Sequence, residues 1–221
     1  MSRPMAKSRS DRHIPVRRLE ALFDGVFAIA ITLLALEVSV PIVDSVRSAD
    51  LVDALVDEWP SYIAYAVTFF IIGAYWVNSH RIFTLLRGID HTFQILTILF
   101  LMAIAIIPFP NAVLAEYLTD PALRGVATQV YGLGMLVLAV MFNVVSWYAY
   151  RRGLFRPDVD QAKVRKVLMS YLAGPALFFA GLVLSFWTPE LVLILFVLVP
   201  FAYLFEGPIR DIDEGYIGTG E

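Results

Sequence analysis

The first long apolar run, Leu19 to Val40, carries groups that hydrocarbon does not tolerate without partners. Glu20 and Asp24 lie near one end, Thr32 in the middle and Glu37 near the other. The second run turns polar late, at Asn78-Ser79-His80-Arg81. A carboxylate and an imidazole can relay a proton or tie two helices together, and a hydroxyl on an apolar face can replace a water on a passing ion. At about 100° per residue, Leu22, Gly25, Ile29, Thr32, Leu33, Leu36 and Val40 fall within about 60° of Ile29. Ala21, Ala28, Ala35 and Ser39 form a small-residue seam about 80–120° away, where another helix can come close, and Asp24 lies about 140° from Ile29. Periodicity alone leaves open a packed helix whose Thr32 bonds back to the carbonyl of Ala28.

The elements that must position these groups are membrane spans. Of 221 residues, 59% are hydrophobic, and the mean hydropathy of +0.72 is too high for an ordinary soluble domain. The expected fold class is all-α and polytopic. With no cysteine there is no disulfide, thiolate metal site or cysteine nucleophile. His13, His80 and His91 are too scattered for a metal cluster, and no cofactor is expected. The net charge of −3, with basic residues distributed by loop, gives nucleic-acid binding little support. There is no Gly-x-Ser-x-Gly, no phosphate-cradling glycine loop and no Thr-Val-Gly-Tyr-Gly filter, so an enzyme is not expected. The first apolar run is too long for a cleavable signal.

Residues 1–17 read as a basic, Ser-rich cytoplasmic tail. Six spans follow within residues 18–205: Leu19 to Val40, Ser61 to about Leu86, Ile89 to Ile107, Val126 to Tyr150, Val167 to Trp187, and Leu191 to Phe205. Pro41 stops the first. Asp44 to Glu58 places Leu51, Val52, Leu55, Val56 and Trp59 at helical spacing, which suits an amphipathic surface helix or a solvated one. Pro108-Phe109-Pro110 bends or ends the third span, with a loop from Asn111 to Asp120; Gly132 and Gly134 mark close packing in the fourth, and Gly174-Pro175 a kink in the fifth. An acidic tail, residues 206–221, closes the chain. With both termini cytoplasmic, every Lys and Arg except Arg47 and Arg124 lies inside, 17 − 2 = 15, so basic asymmetry favours six spans. Asp24 is then about 7–8 Å and His80 about 9 Å from the cytoplasmic ends of their helices, with Arg18 just above.

Arg18-x-x-x-Leu22-Phe23-Asp24-Gly25-Val26-Phe27-Ala28, followed by Ile29-Ala30-Ile31-Thr32-Leu33-Leu34, resembles the first-helix signature of the transmembrane protein 175 family of potassium channels. The family pattern is Arg-x-x-x-Phe-Ser-Asp-x-x-x-Ala; here Leu22 replaces the Phe and Phe23 the Ser. Trp76-Val77-Asn78-Ser79-His80 resembles a family Trp-x-x-His-His variant with Ser79 in place of the first His, Pro108-Phe109-Pro110 resembles the third-helix ending, and Thr97 replaces a common Asn. The likeness covers roughly the first half of the chain. It implies a homotetramer of six-helix subunits and a polar lock of Arg18, Asp24, Trp76 and His80 that holds the first helix to its neighbours.

The expectation is thus a weakly selective potassium channel in a bacterial plasma membrane, the first helix of each subunit lining the pore. Ile29, Leu33 and Leu36 would form hydrophobic constrictions that gate by dewetting, with Thr32 as a ring of hydroxyls between them. Acidic outer loops and Glu37 would concentrate cations at the mouth. One rival is a proton-coupled secondary transporter with Asp24 and His80 as its coupling site, disfavoured by the lack of a visible repeat or a broken helix pair. The other is a non-conducting membrane scaffold.

Overall fold

The structure is a computed structural model that describes residues 16–41 and 48–205, with the side chains of residues 49 and 199–205 left aside. The expected tails therefore lie largely outside the described residues. Helices account for almost all of what is described: α1 (Arg17–Leu36), α2 (Ser48–Asp57), α3 (Trp59–Thr84), α4 (His91–Ile106), α5 (Pro108–Tyr117), α6 (Arg124–Arg151), α7 (Gln161–Tyr171), α8 (Ala173–Leu184) and α9 (Pro189–Phe205). Five segments are long and apolar enough to cross a bilayer: α1, α3, α4 with α5, α6, and α7 with α8. α9 is apolar but has 17 residues, about 25 Å at 1.5 Å per residue, slightly less than the ~30 Å hydrocarbon core.

One expected boundary is corrected. The loop expected from Asn111 is helical to Tyr117, because Pro108 occupies the first position of α5, where a missing N–H costs nothing. The chain bends at Ile107 and resumes at once, Asn111 N donating to the Ile107 carbonyl at 3.2 Å. The fifth span is likewise interrupted at Leu172, just before Gly174-Pro175. Pro175 cannot donate to the carbonyl four residues back, that of Tyr171, and Asn143 Nδ2 of α6 donates to it instead at 3.1 Å. A break inside an apolar span is thereby closed by a side chain of the neighbouring helix.

α6 runs through the middle and packs against α4, α5, α7, α8 and α9. Its contact with α5 is close at Gly134, where an added Cβ would stand 3.0 Å from Pro110 Cγ. A Cβ on Gly181 of α8 would stand 2.7 Å from the Phe196 ring of α9, so backbone and ring touch directly. Aromatic edges fill the centre: Tyr75 with Phe142 at 5.2 Å and Phe142 with Tyr171 at 5.0 Å between ring centroids. One buried polar cluster ties three helices together. Thr68 Oγ1 lies 2.8 Å from Asn111 Oδ1 and 2.9 Å from the Tyr131 hydroxyl, joining α3, α5 and α6.

At the end where α3 turns into α4, two backbone hydrogen bonds join that turn to the segment after α6. Arg87 N donates to the Leu154 carbonyl at 2.9 Å, and Arg156 N to that of Leu85 at 3.0 Å. Asp90 reinforces the junction. It caps α4 by accepting from Phe93 N at 2.8 Å, accepts from the Tyr148 hydroxyl at 2.8 Å, and lies 3.6 Å from Arg152 Nε. Partial burial works against its charge, but the Phe93 N–H, the Tyr148 hydroxyl and the Arg152 guanidinium outweigh it and hold the carboxyl below its ordinary 3.8.

Two outcomes follow from these contacts. Asn143→Leu removes the amide that reaches the Tyr171 carbonyl in an apolar interior and should cost about 1–3 kcal/mol, read as a lower thermal midpoint in detergent. Asp90 contributes its stabilisation above the unfolded carboxylate value and loses it as pH falls through its lower folded value. The wild type should therefore lose stability below about pH 4, and Asp90→Asn, already lacking that contribution, should show a flatter acid limb.

Candidate functional site

Among the described residues, only one side of α1 is covered. Leu19, Phe23, Phe27, Ala30 and Leu34 recur at helical spacing and are buried against α3 and α4. Phe23 is the hub, 2% exposed, stacked on Phe27 at 4.4 Å, edge-on to Phe83 at 5.1 Å and 6.0 Å from Phe100. This aromatic stripe, which the wheel of Ile29 and its neighbours did not single out, decides which way the helix turns. A period of four in the large rings was its signal.

The opposite face is open. Leu22, Gly25, Ile29, Thr32, Leu33, Leu36 and Val40 are all exposed, Ile29 to 61% and Leu36 to 77%. Ala21, Ala28, Ala35 and Ser39 are exposed as well, so no helix among the described residues packs on the small-residue seam. Thr32 Oγ1 donates to the carbonyl of Ile29 at 2.8 Å rather than to that of Ala28. Its proton is thus committed to the helix, and the oxygen lone pairs are what the open face presents. The hydroxyl can act there as an acceptor, the polarity that suits a cation.

The polar groups of α1 are drawn to its flank. Trp76 Nε1 of α3 donates to Asp24 Oδ1 at 2.9 Å. The Trp76 and His80 rings stack at 5.7 Å, and His80 Nδ1 lies 3.4 Å from Glu20 Oε1. The structure therefore pairs His80 with Glu20, and Asp24 with the indole, rather than Asp24 with His80. Glu20 is the member that sequence reasoning missed. Its spacing was the available signal: Glu20 and Asp24 are four apart on α1, as Trp76 and His80 are on α3, so two facing helices present matching rungs. Arg18 is exposed and joins no hydrogen bond or ion pair among the described residues. Thr97, where the resemblance called for Asn, is buried and bonds to its own helix at the Phe93 carbonyl, 2.9 Å away. No group of three metal-ligating side chains occurs among the described residues.

Known proteins resemble the chain in sequence and in fold. Residues 18–108 match the family described as endosomal/lysosomal potassium channel TMEM175. The chain is 43% identical over 158 residues to a potassium channel of Streptomyces collinus, covering 71% of this chain and 76% of that one. It is 43% identical over 170 residues to a potassium channel of Chamaesiphon minutus, covering 76% and 83%. The fold matches a crystal structure described as a lysosomal potassium-selective channel TMEM175 homolog from Chamaesiphon minutus with a TM-score of 0.78, at 38% identity over 86% of this chain and 97% of that one. At this identity and coverage, the chain belongs to the TMEM175 family.

Proposed function

We propose that the chain is one subunit of a weakly selective potassium channel whose pore is lined by α1. The observation that carries this reading is the face of α1 left uncovered by the described residues, apolar except for the exposed Thr32 hydroxyl, which donates to the Ile29 carbonyl. Lipid accepts its apolar side chains but offers the Thr32 hydroxyl nothing to bond. Copies arranged about an axis would enclose it, and the relatives at 43% identity are named potassium channels. In a tetramer the rings of Ile29, Leu33 and Leu36 would make a passage that closes by dewetting and opens with a small rotation. Thr32, one turn from Ile29 and Leu36, would offer each ion a hydroxyl oxygen from every subunit. Hydroxyls on helices are fewer and less rigid than a carbonyl filter, so the preference for potassium would be modest. Asp24 and His80, both engaged with other side chains at the flank, would hold α1 on α3 rather than meet the ion. Asp50, Asp53, Asp57 and Glu58, at the end of the bundle that holds α2, would attract cations. The topology that fits the basic asymmetry is six spans with both termini cytoplasmic, α9 being the sixth, in a bacterial plasma membrane.

Substitution separates the two roles on the α1 face. Ile29→Ala removes bulk from the constriction, so basal current should rise several-fold with little change in ion preference. Thr32→Ala should leave conduction intact while the potassium-to-sodium permeability ratio falls about fivefold, the equivalent of about 1 kcal/mol. Bi-ionic reversal potentials in planar bilayers read both. An unchanged ratio in Thr32→Ala would show that hydroxyl to be structural, and stoichiometric uptake without current steps would favour a transporter. Reporter fusions at Glu221 and within residues 44–58 should lie on opposite sides; a C-terminus outside excludes six spans.

A further inference from the structure

Away from α1, a cavity of about 570 Å³ opens between α3, α5, α6 and α9, a volume typical of sites that hold small ligands. Its wall is carbon from Ile63, Val67, Leu114, Leu193, Ile194 and Val197, and Ile63 and Ile194 at its mouth are exposed. From Trp59 to Val67 and from Glu190 to Leu198 it runs eight residues along each helix, about 12 Å, close to one leaflet's share of a ~30 Å hydrocarbon core. Water has little to bond to on such a wall, because the one deep hydroxyl, that of Tyr131, is taken by Thr68. Hydrocarbon therefore fits the space.

The rim selects the headgroup. Arg124 Nη1 lies 3.2 Å from Glu190 Oε1, while Arg124 Nε is buried without a hydrogen-bond partner. The Glu190 side chain remains 58% exposed. One cation and one anion side by side above an apolar slot complement a headgroup that carries both signs, and Trp59 stands at the same level, where amphipathic rings favour the membrane interface. We propose that this groove binds an acyl chain of a phosphatidylethanolamine, its phosphate on Arg124 and its ammonium on Glu190. An anionic glycerol headgroup would meet Arg124 but be repelled by Glu190, and a choline headgroup has no N–H to donate. The inference needs the chain to lie in a membrane and does not depend on what it conducts.

The test is native mass spectrometry of the full-length protein, delipidated in detergent and then given phosphatidylethanolamine, phosphatidylglycerol or phosphatidylcholine with identical acyl chains. Thermal midpoints are read in parallel. The wild type should retain phosphatidylethanolamine about tenfold better than the other two. Glu190→Gln should lose the preference over phosphatidylglycerol, Glu190→Asp should keep it, and Arg124→Gln should lower retention of both about tenfold. Equal retention of the three lipids by the wild type, or a preference that survives Glu190→Gln, overturns the proposal. So does a nanodisc reconstruction in which a second copy or the chain's own tail fills the groove.

Discussion

Among the described residues, α1 is held from one side only, and the rest of the arrangement depends on that asymmetry. In hydrocarbon, lipid tails are as apolar as leucine, so burying Phe23 and Phe27 gains little from the hydrophobic effect. What holds α1 is contact: stacked and edge-on rings at 4.4 and 5.1 Å, closer and better matched than mobile acyl chains. Those rings point the aromatic stripe at α3 and α4 and leave the Ile29–Thr32–Leu36 side bare. The Trp76–Asp24 and His80–Glu20 pairs then add direction. They lie on the flank of α1, toward α3, between the covered and the open faces.

The same economy governs the interruptions in the spans. Water is not available to a carbonyl freed inside the membrane, so each proline must be placed where a partner stands or where no bond is lost. Pro108 sits at the start of α5, and Pro175 frees a carbonyl that Asn143 reaches. Both interruptions are a single residue long, and neither unwinds into an exposed strand of backbone. The bundle bends at these points without opening, and Gly134 and Gly181 let backbone approach Pro110 and Phe196 where the bends bring helices together.

Much of this was legible before the fold was known. Hydropathy and length marked the spans, Pro and Gly marked their bends, and the 3.6-residue period grouped Ile29, Thr32, Leu33 and Leu36 on one face. The composition of the Asp24 and His80 region marked a polar contact between the first two spans. One boundary was not legible: the loop expected from Asn111 is helical to Tyr117, because a proline at a first helical turn breaks nothing.

Sequence by itself determined what each helix can tolerate around it, because hydrocarbon sets that rule residue by residue. It determined an apolar α1 with one central hydroxyl, carboxylates set toward one end, and small residues along one edge. Which side of α1 would be covered was a different matter. Both its aromatic and its aliphatic faces are acceptable to lipid, so hydropathy cannot rank them. Only the assembled bundle, where Phe83 and Phe100 come within reach of Phe23, decided that the rings turn inward. The partner of His80 was decided in the same way. Glu20 and Asp24 are both carboxylates at similar depth, and the choice rests on where the Trp76 ring lies between the two helices.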